Sequence, residues 1–316
     1  MNLSSVLSLI DGELVSSPKI SSFASITTNI GHIKRGDLFI ALDKTQIVDA
    51  IRAGAYGVVF TGWTQISDSE IAWIKVRDIH KTLDQLIRFF IISKNIDVIA
   101  IDLPTLELAA LLFQSNRVHI YRDRSSMLEA LYSQPLSLIL APEHLLKSLA
   151  LDSVQIPSKP LNIVQHYLFE TSFVYDDVYY QRMRISPLFI DKLHRLLDIA
   201  HNYLLHYSFQ KVEEWPHFRP YFLDNNFRVC EFGKSERVVI LESDCTLLER
   251  EHQYLQKHAP WAHKLFFTHS CIQDGFAQYN LKRLREILYN ATFNYALCEH
   301  FDIEKLAKTQ EQKRLF

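Results

Sequence analysis

The chain has 316 residues, 48% of them hydrophobic and 22% charged, with a formal charge of −2. Such a balance places it in the ordinary globular class, long enough for two or three domains, and its lack of a basic excess excludes nucleic acid as a natural partner. The apolar run Leu86 to Ser93 is too short to span a bilayer, and Asp11 and Glu13 interrupt an N-terminus that has no leading positive stretch, so the expectation is a cytoplasmic protein without membrane insertion.

The first elements alternate strand and helix. Asp37 to Leu42 predicts an apolar strand, Ile47 to Ala53 a short helix and Gly57 to Phe60 a second strand, punctuated by Gly54 and Gly57. Ile71 to Val76 predicts a strand, and Ile79 to Ile92 an amphipathic helix with Leu83, Leu86, Ile87 and Phe90 on its apolar face. The same rhythm continues through strand Val98 to Ile101, helix Thr105 to Gln114, strand Val118 to Tyr121, helix Ser125 to Tyr132, strand Leu136 to Leu140 and helix Pro142 to Leu149. This alternation favours a parallel sheet covered by helices. Asp152 to Pro160, with two prolines and two serines, reads as a linker.

Beyond it the pattern turns to hairpins. His166 to Val174 and Val178 to Ile185 flank Tyr175-Asp176-Asp177, and a helix follows with Pro187 in its first turn and Leu193, Leu196, Leu197, Ala200 and Leu204 at helical spacing. Phe218 to Leu223 is expected to pair with Phe227 to Phe232 ahead of strand Val238 to Leu241. Thr246 and Glu249 suggest a capping box for the next helix; Leu265 to Thr268 reads as a strand, Leu281 to Cys298 as a last helix, and Lys305 to Arg314 as a frayed tail. The domains expected are therefore 1–93, 94–155 and 156–316.

Ligands of open parallel sheets bind at the carboxyl ends of strands, which directs attention to Asp102, Arg122-Asp123-Arg124, Glu242-Ser243-Asp244 and Thr268-His269. Arg122 and Arg124 beside a helix start can hold an anion, or form a solvated loop neutralised by Asp123. Glu242 and Asp244 can act as an acid/base or metal pair, or Ser243 or Asp244 can simply cap a helix. His263 and His269 near Cys271 offer zinc ligands without an obvious fourth, and no metal is predicted. His194, His201 and His206 are badly spaced for a shared metal. Cys230, Cys245, Cys271 and Cys298 form no C-x-x-C pair and are expected as reduced, buried thiols. The aromatics Phe169, Phe173, Tyr175, Tyr179, Tyr180, Trp215, Phe218, Tyr221 and Phe222 suit either a core or a surface for a sugar or partner.

Three stretches carry a family likeness: Thr27-Thr28-Asn29, then Ile33 to Leu42 (IKRGDLFIAL), then Ala50 to Val59 (AIRAGAYGVV). In order and spacing, Ile26 to Phe90, about a fifth of the chain, resembles the N-terminal domain of the Mur ligases, which build the peptide stem of peptidoglycan. The nearest likeness is to the type that adds the third residue or the terminal dipeptide. The resemblance implies an α/β fold, a Mur-ligase-like N-terminal domain followed by α/β layers with a mostly parallel sheet and antiparallel hairpins. It also implies a UDP-linked muramyl precursor as ligand, held near Thr28, Asn29, Asp43 and Lys44. Asn29-Ile30-Gly31 stands where the family has Asp-Ser-Arg, and Asp43-Lys44-Thr45-Gln46 replaces a longer glycine-rich loop.

A ligase of this kind cradles ATP in a glycine-rich loop ending Gly-Lys-Thr, because backbone N–H groups converge on phosphates only where side chains are absent. Here the strand Asp97 to Ile101 leads into Asp102-Leu103-Pro104-Thr105-Leu106-Glu107, and no glycine occurs between Gly62 and Gly233. No cofactor is therefore expected, and ATP with magnesium least of all. The leading expectation is a non-catalytic binding or regulatory module of cell-wall synthesis, with a UDP-muramyl ligand or a partner protein. The alternatives are an active ligase or transferase whose catalytic candidates are Glu242, Asp244 and His269, and an interaction protein unconnected with nucleotide sugars.

Overall fold

A computed structural model describes residues 1–303, so the expected frayed tail lies outside the described residues. The chain divides into two units: Met1–Pro157 with Ile199–Tyr207, and Ser158–Asp198 with the chain from Ser208 onward.

The first unit opens with α1 (Leu3–Ile10), β1 (Glu13–Leu14), β2 (Ile26–Thr27), β3 (Leu38–Ile40), α2 (Ile47–Arg52), β4 (Gly57–Thr61), β5 (Ala72–Val76) and α3 (Ile79–Ser93). Their sheet runs β1-β5-β4-β3-β2, parallel except for β1. Strands β3 to β5 are apolar on both faces because both are covered: Leu38, Phe39, Ile40, Val58, Val59, Trp73 and Ile74 are all buried. The glycines of the IKRGDLFIAL and AIRAGAYGVV stretches have steric reasons. Gly54 sits at φ +105°, and a Cβ on Gly57 would come within 2.6 Å of Phe23 and 2.8 Å of Leu38. Asp78 starts α3 by accepting N–H bonds from His80 and Lys81.

The unit continues with β6 (Asp97–Ala100), α4 (Leu103–Leu112), β7 (Val118–Ile120), α5 (Arg124–Ser133), β8 (Leu138–Ala141) and α6 (Glu143–Leu149), a parallel sheet in the order β6-β8-β7. The two sheets share one buried cluster, in which Val6, Ile74, Leu83 and Leu86 join Met127, Leu131, Ile139 and Leu146.

In the second unit, β9 (Leu161–His166), β10 (Thr171–Tyr175) and β11 (Val178–Met183) form an antiparallel sheet in the order β11-β10-β9. Asp176 and Asp177, at φ 50° and 61°, make its tight turn. After α7 (Ile190–Tyr203), whose residues from Ile199 onward count with the first unit, come β12 (Arg219–Phe222), β13 (Val238–Glu242), α8 (Leu248–His258), β14 (Lys264–Thr268), β15 (Ala277–Gln278), α9 (Leu281–Asn290) and β16 (Tyr295–Glu299). Their sheet runs β12-β13-β16-β14-β15, all parallel but β12.

Several expectations are corrected here. The expected strand from His166 splits into β9 and β10. The stretch Phe218 to Leu223 forms its ladder with β13, whose Val238 to Leu241 are buried and apolar, and the expected pairing with Phe227 to Phe232 is reduced to the antiparallel bridge Leu223–Val229, with Asp224 turning the chain between by accepting from Asn226 and Arg228. The last helix stops at Asn290, and Tyr295–Glu299 is a central strand. The helix ends there because the Arg237 guanidinium collects the carbonyls of Leu288, Tyr289 and Ala291. The Thr246/Glu249 capping box is absent: α8 begins at Leu248 without a side-chain cap, and Asp244 accepts from Thr246 ahead of it.

Candidate functional site

At the C-terminal edge of the first sheet, Thr28 is buried and the Asn29 side chain is spent on the Gly31 N–H at 2.9 Å. The Asp43 carboxylate accepts from Thr45, whose backbone N–H holds it below the usual carboxylate range. Lys44, next to Asp43, donates from Nζ to the Trp63 carbonyl at 3.3 Å, and Trp63 is 82% exposed. A cation and an open indole thus stand together just beyond β3 and β4.

The expected arginine pair does not form one anion cradle. Arg124 is engaged by Asp84 in a bidentate, partly buried ion pair at 2.6 and 3.1 Å, and Asp123 caps α5 by accepting from Ser126. Arg122 lies in a cleft with His119, Ser126 and Glu129. There the buried Nε2 of His119 has no partner among the described residues, and burial, helped by Arg122, pushes its pKa down to about 4.

The turn after β6 is closed from within. Asp102 accepts the backbone N–H of Thr105 at 2.9 Å and its hydroxyl as well, and Pro104, in the first turn of α4, has no N–H to offer. Carboxylate therefore occupies the helix end where a phosphate of ATP would need bare backbone donors. The residues present do not fit that group.

The second unit gathers its titratable groups at the C-terminal ends of β13, β14 and β16. Glu242, fully buried, accepts from His217 Nδ1 at 2.5 Å, from the Phe218 N–H at 3.0 Å and from the Asp244 N–H at 2.6 Å. Glu251, on α8, is also fully buried, and neither of its carboxyl oxygens makes a well-formed hydrogen bond among the described residues. Burial, with the Glu242 carboxylate beside it, raises its pKa well above the usual range and favours its protonated form. His217 also lines a cavity of about 190 Å³ walled by Phe169, Trp215, Phe218, Tyr221 and Arg184. Five of the expected aromatics, Phe222 being the fifth, thus line one cavity with an imidazole that is backed by a carboxyl pair. Such an arrangement can bind an apolar ring and hold or move a proton at His217.

Glu299, the register partner of Glu242 on β16, accepts the N–H groups of His269 and Ser270 at 2.8 and 2.9 Å, and His269 Nδ1 lies 3.2 Å from its Oε2. Burial opposes ionisation of Glu299, but the Ser270 and His269 hydrogen bonds outweigh it and hold the carboxyl below its ordinary value. Glu242, Asp244 and His269 are therefore not one triad. Glu242 serves His217, Asp244 turns to Thr246, and His269 serves Glu299. His217 and Glu299 escaped sequence reasoning because neither lies in a recognisable motif and the strand that ends in Glu299 read as helix. Cys245 and Cys271 are not separate thiols: they are joined as a disulfide with Cα atoms 6.4 Å apart, while Cys230 and Cys298 are free. His263, at the opposite end of β14, bonds the Thr292 carbonyl and stands outside this group.

No family model matches the chain, and no curated protein matches it. Solved structures do. The chain is similar to MurF from Acinetobacter baumannii at 9% identity and a TM-score of 0.52, over 99% of this chain and 98% of that one. It is similar to the MurF ligase from Thermotoga maritima, solved in complex with ADP, at 11% identity and a TM-score of 0.54, over 92% and 98%. None of the described helices is long and apolar enough to cross a membrane. The likeness extends the resemblance of residues 26–90 to nearly the whole chain, and the fold of this protein is Mur-ligase-like, an α/β fold with parallel and antiparallel sheets.

Proposed function

We propose that the chain is a cytoplasmic, non-catalytic binding or regulatory module of peptidoglycan synthesis, a Mur-ligase-like protein that takes a UDP-linked muramyl precursor without performing ATP-dependent ligation. One observation carries the reading: within a Mur-ligase-like fold, the turn after β6 is filled by Asp102 and Pro104 where ligation needs a phosphate cradle. The ligand half of the proposal rests on the edge beyond β3 and β4. An exposed indole there can stack on uracil, and Lys44 beside it can meet a diphosphate.

Calorimetric titration with UDP, UDP-N-acetylmuramic acid and ATP with magnesium tests both halves. The expected result is binding of the UDP compounds, weakened about tenfold or more in Trp63→Ala because a base stack is worth roughly 1–3 kcal/mol, weakened also in Lys44→Ala through loss of the charge that meets the diphosphate, and no saturable ATP binding. Saturable ATP–magnesium binding, or amino-acid-dependent phosphate release with a UDP-muramyl substrate, overturns the proposal.

The active-transferase reading draws on a different observation, the His217 cavity backed by Glu242 and Glu251. Turnover of any nucleotide-sugar substrate that vanishes in His217→Gln while UDP binding persists would favour it.

A further inference from the structure

We infer that Cys245, Cys271, Glu299 and His269 form a zinc site when the two cysteines are reduced. These residues reach one place from three separate segments: the loop after β13, the loop after β14 and the end of β16. The two sulfurs and a carboxylate oxygen of Glu299 all lie within 4.8 Å of one another. The ligand set, two thiolates, an imidazole and a carboxylate, is the kind zinc takes in four-coordinate sites.

Two edges already fit that geometry; opening the disulfide and turning the His269 ring, which lies outside the group of ligand atoms within 4.8 Å of one another, toward the sulfurs supply the rest. With bonds of about 2.0 Å to nitrogen and oxygen and about 2.3 Å to sulfur, a tetrahedron has N···O edges of about 3.3 Å and S···O edges of about 3.5 Å. His269 Nδ1 stands 3.2 Å from Glu299 Oε2, and Cys271 Sγ stands 3.5 Å from the same oxygen. The Cα separation of 6.4 Å between Cys245 and Cys271 serves a disulfide and lets two thiolates share one ion equally well. Backbone N–H groups of His269 and Ser270 fix Oε2 in place, which is how outer contacts orient a ligating carboxylate. Tyr279 Oη sits 3.3 Å from both His269 Nδ1 and the Glu299 carbonyl, so it keeps a partner when the metal takes the nitrogen.

The oxidised and metal-bound forms exclude each other. A dithiol reductant breaks the Sγ–Sγ bond: it gives up two electrons and becomes a disulfide itself, and Cys245 and Cys271 each gain a proton. Zinc then displaces those two protons as it binds the thiolates.

The full chain, reduced with a dithiol and freed of excess reductant, is titrated with zinc chloride by calorimetry and with cobalt(II) by absorption. The expected results are one zinc per chain, a thiolate-to-cobalt charge-transfer band, and neither of these in the disulfide form. Cys245→Ser and Cys271→Ser should each weaken zinc about 100-fold or more and His269→Ala about tenfold or more, the range over which outer-contact losses already act, while Cys230→Ser leaves binding unchanged. Absence of stoichiometric zinc from the reduced wild-type chain overturns the inference. So does equal binding by the disulfide form, or binding that survives in the Cys245→Ser/Cys271→Ser chain. The cobalt spectrum of the wild-type chain reads the ligand set without any variant, so a spectrum lacking the thiolate band also overturns it.

Discussion

Two strand edges of this protein answer the same architectural opportunity in opposite ways. Both the β6-β8-β7 sheet and the β13-β16-β14 ladder are parallel, and a parallel sheet directs the carboxyl ends of its strands toward a common crevice. At the first, Asp102 and Asp123 turn back on their own helices and consume the N–H donors. At the second, Glu242 and Glu299 end neighbouring strands and draw in His217 and His269 from outside them. A strand end therefore becomes a chemical site only when its polar side chain is not already spent on the helix that follows.

The largest expected effect separates the edges directly. Glu242→Ala strips the buried partner from His217 and from the Phe218 and Asp244 N–H groups. Breaking a buried pair in this way costs about 3–5 kcal/mol. Urea unfolding followed by circular dichroism should show that loss, and a cost below about 1 kcal/mol, the range of exposed pairs, would put the two edges on an equal footing.

The sequence was legible where one physical signal sufficed. In residues 26–93, apolar runs placed β3, β4 and β5 and a helical apolar face placed α3, because those strands are buried on both faces; the glycines mark only the approach to β4, where Gly54 and Gly57 answer to local sterics. The β13-β16-β14 edge was less legible, because its order depends on contacts between distant residues. Arg237 ends α9 from 51 to 54 residues away, and without that contact Tyr295–Glu299 reads as a continuation of helix. His217 and Glu242 are twenty-five residues apart and share no motif. Glu242 and His269 were named as candidates, but their true partners, His217 and Glu299, come from elements whose pairing the linear pattern does not display.

The two units should also respond to pH with opposite signs. Burial raises the folded-state pKa of Glu251 above the ordinary 4.5, so the unfolded chain binds fewer protons between that value and the raised one. Its contribution to stability is intact at low pH and falls as pH rises through that window, by up to about 1.4 kcal/mol per unit. His119 in the first unit behaves the other way. Its pKa drops from 6.5 to about 4, so the unfolded chain takes up the proton first and stability is lost as pH falls through that interval, with the same limiting slope of about 1.4 kcal/mol per unit. Glu251→Gln should flatten the fall that accompanies rising pH and His119→Phe the fall that accompanies dropping pH. Unfolding free energies measured from pH 4 to pH 9 check both, and a shared sign of the two changes would remove the contrast.

The smallest effect concerns the closed edge. Asp102→Ala frees the Thr105 N–H at the start of α4 and should cost about 1 kcal/mol, as loss of a helix cap does. It should not open the edge to ATP. Removing the carboxylate lifts one repulsion, but Leu103 keeps its side chain and Pro104 still lacks an N–H, so the backbone cannot converge on a phosphate. A thermal melt of Asp102→Ala paired with an ATP–magnesium titration separates the two contributions. A small stability loss with no binding means that the steric and donor deficits close this turn, whereas saturable binding would mean that the Asp102 carboxylate alone had kept nucleotide out.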